Sequence, residues 1–141
     1  MTPIFKQLKK EDLPTIIPLM QRFTSNKNTD DVLFERFTEM FDQNYECIGL
    51  FQNDLLIGIC GLWFSTRHYI GRSVELDHVY IDEAYRNQGL GKQLFNWVYK
   101  YAKAKGCEAA ELNTYVQNFP SHKFYYNEGF NILGYHFLKK M

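Results

Sequence analysis

The chain has 141 residues, of which 45% are hydrophobic and 23% are charged, so extensive intrinsic disorder is excluded. The 16 basic and 16 acidic residues cancel, which argues against nucleic acid or an anionic membrane as a partner. The apolar runs are too short for a membrane helix, and the N-terminus lacks the apolar core of a signal peptide. We therefore expect one domain over residues 1–141 and a cytoplasmic location.

Cysteine usage points the same way. Cys47, Cys60 and Cys107 are widely spaced and odd in number, which argues against a disulfide framework or a zinc site. We expect buried thiols in a reducing compartment and no bound metal.

Hydrophobic periodicity predicts a strand and two helices at the start of the chain. The strand is expected at Ile4–Leu8. The first helix should be capped by Asp12 with Pro14 in its first turn, and the second should run from Thr29 to about Gln43.

Three strands should follow, at Tyr45–Phe51, Leu55–Phe64 and Ser73–Ile81, with Ser65–Ile70 as a polar excursion. A helix then begins near Leu90 and ends before Gly106. The last predicted elements are a strand at Glu108–Val116, a short helix at Asn118–Asn127 and a strand at Phe130–Lys139. The order βααβββαβαβ predicts an α/β (α+β) domain with a mixed, twisted sheet and helices on both faces.

The most informative stretch is Arg86–Lys92, which joins a strand to a helix and contains Gly89 and Gly91. Glycines permit a tight turn and close approach of a ligand, and the N–H groups at a helix start favour an anion. The spacing matches neither a Walker loop nor the Rossmann fingerprint, whose third glycine is replaced by Leu94. A tight connection with purely steric glycines is the alternative.

In this position the loop resembles the motif Arg/Gln-x-x-Gly-x-Gly/Ala of the GNAT superfamily of acetyl-CoA-dependent N-acetyltransferases. A second segment, Asn118–Tyr125 followed by Gly129-Phe130, resembles the Asn…Phe-Tyr…Gly-Phe pattern of the same family. The resemblance covers essentially the whole chain and implies a single GNAT domain. Members of the family often pair through their C-terminal strands, so the resemblance also suggests a homodimer.

A closer resemblance is to the diamine (polyamine, thialysine) N-acetyltransferases. It is carried by Tyr69–Arg72, by Leu76-Asp77 and by the Asn118–Tyr125 segment. The chain departs from these enzymes at Asp77, where they tend to carry Glu, and at Arg67 and His78, where acidic residues are expected.

The resemblance implies acetyl-CoA as the cosubstrate. Its pyrophosphate would be held by N–H groups of Arg86, Asn87, Gln88, Gly89, Leu90, Gly91 and Lys92. A bulge near Val79 and Ile81 would free a backbone N–H for the thioester oxygen, and such a donor contributes about 3 kcal/mol in other acyl-transfer sites. Asn118 would contact the pantetheine arm, and Ser121 would add a further cofactor contact.

The resemblance also assigns the proton transfers. Tyr125 is expected to return a proton to the departing thiolate, and core packing is its alternative role. An alkylamine is free base in only roughly one molecule per few thousand at pH 7, so a base is required. Asp77 is the first choice and Glu75, on the same strand face, the second. His78 is expected to point to the opposite face and is the third choice.

The expected function is acetyl transfer to a small-molecule amine, either a diamine or an amino-acid-like compound, by direct attack. Arg67 and Tyr69, in the polar excursion, are the candidate acceptor-binding residues, and Arg67 would hold an anionic group beside the amine. The alternatives are acetylation of a protein lysine or N-terminal amine, and a CoA-binding module without turnover.

Overall fold

The computed structural model describes residues 2–141, which form one five-stranded sheet and four α-helices. The strands lie in the sheet in their sequence order. The elements are β1 (Ile4–Leu8), α1 (Leu13–Thr24), α2 (Asp30–Phe41), β2 (Tyr45–Gln52), β3 (Leu55–Arg67), β4 (Gly71–Ile81), α3 (Leu90–Ala104), β5 (Ala109–Leu112) and α4 (Phe119–Asn127). Short 3-10 turns precede α1 and follow β4.

The sheet carries helices on both faces, as the sequence predicts. One face packs against α1 and α2, where Ile16, Leu19 and Phe37 lie over Cys47 and Ile59 of the strands. The opposite face packs against α3, whose residues include Leu94, Phe95 and Val98. Alternate strand residues point to opposite faces, so Cys47 and its neighbour Ile48 belong to different clusters.

The helix starts follow local rules. Thr29 caps α2 by accepting a hydrogen bond from the Val32 N–H, at 3.3 Å. Asp12 precedes α1, and its carboxylate accepts from the Lys9 N–H instead of capping the helix. Pro14 lies in the first turn of α1, where its missing N–H removes no helical hydrogen bond.

Strands β3 and β4 form a long antiparallel hairpin, and here the prediction of a polar excursion at 65–70 is wrong. Ser65, Thr66 and Arg67 continue β3 and pair with Ser73, Arg72 and Gly71. Their side chains are polar because this end of the hairpin extends past the core, so hydrophobic alternation gives no signal there. The turn is confined to residues 68–70.

The C-terminal part differs most from the sequence prediction. Strand β5 spans only Ala109–Leu112 and pairs in parallel with Ser73–Leu76 of β4. The expected last strand is missing: residues 130–141, all of them described, form no regular secondary structure and are mostly exposed. The observed order is therefore βααβββαβα.

Cys47 and Cys60 are buried free thiols, whereas Cys107 is half-buried. Within residues 2–141, no helix is both long and apolar enough to cross a membrane.

Candidate active site

The centre of the candidate site is a bulge in β4. Gly61 pairs with Asp77 and Ile59 pairs with Tyr80, so His78 and Val79 together face the single residue Cys60. His78 adopts a positive φ of 36°, which is uncommon for a residue with a side chain. This bulge lies where the sequence predicts it, next to Val79 and Ile81.

The bulge reverses the predicted direction of His78. Its ring lies on the same face as α2, at 5.5 Å from the Phe37 ring, and Nε2 is 2.5 Å from the Tyr45 hydroxyl. Nδ1 is buried and has no hydrogen-bond partner among the described residues. Burial lowers the pKa of His78 below its ordinary value, although the nearby Asp77 opposes the shift. The imidazole is therefore neutral at pH 7.

Gly61 makes room for this ring. A Cβ at position 61 would collide with the His78 imidazole, so the glycine on β3 and the bulged residue on β4 fit only as a pair. The imidazole therefore occupies the space that a side chain at position 61 would need.

The two candidate bases lie beside the bulge on the α2 side of the sheet. One Asp77 oxygen accepts from the His78 N–H at 2.8 Å, and the other accepts from the Trp63 indole N–H at 3.0 Å. Asp77 is exposed, and Glu75 is half-buried and accepts from the Asn113 amide at 3.2 Å. Both carboxylates reach the same surface.

A pocket of about 700 Å³ opens on this surface. The pocket is lined by Glu75 of β4, by Trp63 and Arg67 of β3, and by Asp42 at the end of α2. The other lining residues are Gln43, Asn44, Phe64 and Ser65. The pocket lining combines two carboxylates, one guanidinium and two aromatic residues.

Arg67 and Tyr69 meet at a carboxylate that the sequence analysis missed, Glu111 on β5. The Arg67 Nε lies 3.2 Å from one Glu111 oxygen, and the Tyr69 hydroxyl donates to the other at 2.8 Å. Ser73 also donates to Glu111, at 2.8 Å, and Arg67 is 3.6 Å from Glu75. Burial opposes ionisation of Glu111, but the Ser73 and Tyr69 hydrogen bonds and the Arg67 charge hold its pKa below the ordinary value.

The loop before α3 has the geometry of an anion site. Asn87 and Gly89 have positive φ values of 61° and 76°, and Gly89 is the N-cap of the helix. No described side chain caps α3, so the first N–H groups of the helix point outward from Leu90, Gly91 and Lys92. Leu90 itself is buried against Leu50 and Ile57 and anchors the loop to the sheet.

The charged side chains of this loop are directed away from its N–H groups. The Arg86 Nε donates to the Ile81 carbonyl at 2.9 Å, and the guanidinium lies 5.2 Å from the Tyr80 ring centroid. The Lys92 ammonium lies 3.0 Å from Glu128, just after α4. Gln88 is exposed. A phosphate at this loop would therefore meet backbone donors first.

Strands β4 and β5 separate beyond Leu76, because their pairing ends at Leu76 and Leu112. Residues 77–81 of β4 thus border a gap that leads from the bulge to the loop before α3. Such a gap exposes the backbone of a strand end to an extended ligand. The bulge, the unpaired edge of β4 and the glycine loop follow one another along the chain.

Tyr125, on α4, lies on the face of the sheet that α3 covers, in the same core cluster as Val79. Its ring packs against Phe95 of α3 and against Phe130, with centroids 6.1 Å away in both cases. Burial raises the pKa of Tyr125, a hydrogen bond with Ser121 opposes the shift, and the Cys60 thiol opposite the bulge adds to it. The phenol is therefore protonated at neutral pH. Asn118, before α4, is exposed.

The structure thus divides the predicted residues into two groups. Glu75 and Arg67 line the pocket, and Asp77 and Tyr69 are hydrogen-bonded to Trp63 and Glu111 respectively. Val79 and Tyr125 belong instead to the core cluster on the α3 face of the sheet, where Ser121 is hydrogen-bonded to Tyr125, and Ile81 packs against the cluster that contains Leu90. Sequence reasoning missed Glu111, Trp63 and Tyr45. Strand parity marks Trp63 and Tyr45 as inward-facing residues, but only the hairpin register shows which residues they meet.

Comparison with known proteins identifies this arrangement. A sequence model of the Acetyltransferase (GNAT) family matches residues 13–130. The chain belongs to the GNAT family. It is 23% identical over 133 residues to the aminoalkylphosphonate N-acetyltransferase of Salmonella typhimurium, covering 93% of this chain and 86% of that protein.

Two solved structures show the same fold. That of AAC(6')-Iy with the bisubstrate analog CoA-S-monomethyl-acetylneamine has a TM-score of 0.85, 18% identity, and covers 100% of this chain and 99% of its own. That of the ribosomal-protein-alanine N-acetyltransferase from Brucella melitensis has a TM-score of 0.84, 19% identity and 99% coverage of both chains.

The family establishes the reaction class. The protein is an acetyl-CoA-dependent N-acetyltransferase, and acetyl-CoA is its cosubstrate. The uncapped N–H groups at the start of α3 and the backbone of β4 beyond its pairing with β5 are hydrogen-bonding groups of the kind that a pyrophosphate and an amide-containing arm require. The closer resemblance to diamine N-acetyltransferases receives no support from these comparisons. Among residues 2–141, no group of three or more metal-ligating side chains gathers in one place.

Proposed function

We propose that the protein transfers the acetyl group of acetyl-CoA to the primary amine of a small molecule by direct attack. The observation that carries this proposal is the pocket of about 700 Å³ next to the bulge, with Glu75 in its wall and Asp77 beside it. A pocket of this size suits a compact acceptor. Its carboxylates would hold an ammonium group and take its proton.

In the proposed reaction, a carboxylate on one side of the bulge accepts a proton and a tyrosine on the other side donates one. Asp77, or Glu75 as the second candidate, accepts the proton from the amine, directly or through water. The amine nitrogen then forms a bond to the acetyl carbon, and the carbon–sulfur bond breaks. Tyr125 donates its proton to the departing thiolate, and the second proton that the nitrogen loses as the amide forms returns to the Tyr125 phenolate through water. A backbone N–H at the bulge or just beyond it, from Val79 or Ile81, stabilises the oxyanion.

The cofactor role of the loop is proposed on backbone geometry. N–H groups from Arg86 to Lys92 would bind the pyrophosphate, because the side chains of Arg86 and Lys92 are held elsewhere. Asn118 and Ser121 would contact the arm that runs along the gap.

The charge of the pocket favours an acceptor with more than one positive centre. Arg67 is held by both Glu75 and Glu111, so these three side chains carry a net charge of about −1. Asp77, which accepts a hydrogen bond from Trp63 of the pocket lining, adds a further negative charge. A diamine-like or aminoglycoside-like acceptor would be attracted, whereas an amino-acid-like or aminoalkylphosphonate-like acceptor would have to draw Arg67 away from two carboxylates.

An assay with purified protein and a panel of amines tests the proposal. CoA release would be followed with a diamine, a polycationic amine, an amino acid with a side-chain amine, an aminoalkylphosphonate and a peptide with a free N-terminus. We expect the highest kcat/KM for a small amine with two or more positive centres. Preference for the peptide would support protein acetylation, and CoA binding without any turnover would support a binding module.

Arg67→Ala sharpens the assay. If Arg67 only balances Glu75 and Glu111, its removal should leave the ranking unchanged and lower KM for dicationic amines by a few-fold. If it binds an anionic group of the acceptor, KM for that acceptor should rise about tenfold, while the KM for acetyl-CoA stays constant. Thr66→Ala, on the same strand, is the matched control.

We also propose a cytoplasmic location, since the cosubstrate is an intracellular metabolite. A homodimer is the proposed assembly.

A further inference from the structure

The direct neighbour of Asp77 across the β3–β4 hairpin has no side chain. Asp77 pairs with Gly61, and the space that a side chain at position 61 would need is taken by the His78 ring. Residues that face each other across a ladder normally contact each other through their side chains. The groups that hold the Asp77 carboxylate therefore come from other positions.

Two hydrogen bonds hold this carboxylate, one on each oxygen. The His78 backbone N–H donates to Oδ1 at 2.8 Å, and the Trp63 indole N–H donates to Oδ2 at 3.0 Å. The second bond crosses the hairpin diagonally, because Trp63 pairs with Glu75, two residues before Asp77. A diagonal neighbour lies about 7–8 Å away, so only a long side chain with a donor near its end reaches it.

The two donors are also joined to each other through the core. The Trp63 ring packs against the Tyr45 ring with centroids 4.8 Å apart, and the Tyr45 hydroxyl lies 2.5 Å from His78 Nε2. Tyr45 itself is 4% exposed. The circuit of contacts around Asp77 is therefore closed, and its innermost member is buried.

Asp77 is held in this way without being neutralised. None of the residues 2–141 forms an ion pair with Asp77, whereas Glu75 lies 3.6 Å from the Arg67 guanidinium. Asp77 is exposed, and a carboxylate can accept about four hydrogen bonds, so two donors leave room for the ammonium group of an acceptor. Asp77 is therefore better placed than Glu75 to take a proton.

We propose that Trp63 is a positioning residue for acetyl transfer, because its indole N–H holds the Asp77 carboxylate in the orientation that receives the proton of the acceptor amine. The proton moves from the ammonium nitrogen to an Asp77 oxygen, directly or through water. The freed lone pair of the nitrogen then attacks the acetyl carbon. This inference rests on the proposed function and selects Asp77, rather than Glu75, as the base.

The second donor matters because the last side-chain torsion of an aspartate has broad minima. With the His78 N–H alone, the carboxylate could rotate about a single hydrogen bond. Proton transfer requires a base within about 2.6–3.2 Å of the proton's heavy atom, and small displacements of reacting groups cost much of the rate. The indole N–H removes this freedom.

Trp63→Phe tests the role, since it keeps an aromatic ring against Tyr45 and removes the indole N–H. We expect the single-turnover rate to fall about tenfold, with an unchanged KM for acetyl-CoA. The melting temperature should change little, because the lost hydrogen bond is exposed. Trp97→Phe is the matched control. Trp97 stacks on Tyr101 of α3, and its substitution should leave the rate at the wild-type value.

A double-mutant cycle with Asp77→Ala separates positioning from direct contact with the acceptor. Asp77→Ala alone should lower the rate by about 10²-fold. In that background, Trp63→Phe should change the rate by less than about twofold, because the indole has no carboxylate left to hold. A tenfold loss that persists in the Asp77→Ala background would overturn the positioning role and show that the indole acts on the acceptor itself.

The hydrogen bond can also be measured without turnover. The chain has two tryptophans, so nitrogen-15 labelling of tryptophan gives two indole N–H signals, and Trp97→Phe identifies the signal of Trp63. Asp77→Ala should speed the exchange of the Trp63 indole proton with water several-fold. Glu75→Ala, which changes the residue paired with Trp63, is the control and should leave the exchange rate nearly unchanged. Equal exchange rates in the wild type and in Asp77→Ala would overturn the inference.

The kinetic outcomes distinguish this inference from the proposed function. Turnover by the wild type with no loss of rate in Trp63→Phe or in Asp77→Ala overturns the positioning role, and acetyl transfer then stands with Glu75 as the base. Absence of turnover with every amine overturns the proposed function and the positioning role with it, whatever the indole signal shows.

Discussion

The two sides of the bulge are built in different ways. On the acceptor side, Tyr45 is 4% exposed, and its neighbours His78 and Trp63 are fixed to it by ring contacts and a hydrogen bond. On the side of the proposed proton donor, Tyr125 lies on α4. None of the described residues of this helix is fully buried, and the segment that follows it is apolar and exposed. The proposed base thus lies beside the buried core at the bulge, whereas the proposed acid lies on a helix without a fully buried residue among those described.

We therefore expect substitutions in the core and substitutions on α4 to affect the two proposed proton transfers differently. A change in the core beside the bulge should alter stability and catalysis together. A change on α4 should alter catalysis with little cost in stability. The predictions below test this separation, beginning with the largest effect.

Tyr125→Phe should lower kcat by about 10²-fold, because it removes the proposed proton donor and keeps the ring that packs on Phe95. The KM for acetyl-CoA and the melting temperature should hardly change. Since burial raises the pKa of Tyr125, the wild-type enzyme should keep this proton up to a pH above the ordinary value of 10.0. Rapid-quench single-turnover kinetics avoids masking by slow product release.

Tyr126→Phe is the matched control, because Tyr126 is 54% exposed on the same helix. Its kcat should equal that of the wild type. If single-turnover rates of Tyr125→Phe and Tyr126→Phe agree, Tyr125 is a packing residue only.

Gly61→Ala should damage both properties, because the added Cβ collides with the His78 ring. Overpacking of this kind costs about 1–3 kcal/mol, which corresponds to a fall in melting temperature of roughly 3–10 °C. The kcat should fall as well, since the bulge must shift. Calorimetry and steady-state kinetics on the same preparation measure the two effects.

The double variant Gly61→Ala/His78→Gly provides the decisive control. It removes the ring, and glycine adopts the positive φ of position 78 without strain. More than half of the lost stability should return. A double variant less stable than Gly61→Ala would show that the His78 ring does not set the geometry of the bulge.

The contact between Gly61 and His78 also shows which features of the structure can be predicted from the sequence and which cannot. β1, α1, α2, β2 and α3 are predicted within about two residues, since each has a capping signal or a clear apolar period, and the glycine loop identifies the family. The direction of His78 could not be predicted, because one extra residue in a ladder reverses every side chain that follows. Glu111 escaped for a related reason: parallel strands carry no local signal of register, so its contact with Arg67 and Tyr69 is invisible in the sequence.

The strand predicted at Phe130–Lys139 is wrong for another reason. Alternation of Leu133, Tyr135 and Phe137 reports that a segment can form a strand, whereas pairing depends on an available neighbour. None of the described residues pairs with this segment, although β5 leaves its outer edge open at the end of the sheet. A segment forms a strand only if it has a suitable alternation of side chains and also pairs with another strand. The sequence of the segment shows only the first of these two conditions.

Gly89→Ala should weaken CoA binding about tenfold, because the free variant would relax out of the left-handed conformation at φ 76°, and binding would have to restore it at a cost of about 1–2 kcal/mol for a non-glycine residue. Space is not the reason, since no heavy atom of the described chain lies within 4 Å of a Cβ built at position 89. Isothermal titration with CoA measures the effect. An unchanged affinity would contradict the assignment of this loop to the pyrophosphate.

Gly91→Ala is the matched control for the loop. A Cβ at position 91 would lie 3.7 Å from Phe124 of α4, an ordinary contact distance, and Gly91 is already within the helix. We expect CoA affinity within about twofold of the wild type and a slight gain in stability, because alanine favours the helix by up to about 1 kcal/mol.

The smallest effect is expected for a substitution of Lys92, at the contact between α3 and the end of α4. Glu128, whose side chain is 5% exposed, lies 3.0 Å from the Lys92 ammonium and accepts from the Tyr99 hydroxyl at 2.8 Å, so it joins the end of α4 to α3. Lys92 is 67% exposed, and Lys92→Met should therefore cost about 1 kcal/mol or less. If the Lys92 backbone N–H binds the pyrophosphate, CoA affinity should change less than threefold at low and at high salt. A tenfold, salt-dependent loss would instead mean that the ammonium leaves Glu128 for the phosphate, and α4 would then become freer whenever the cosubstrate is bound.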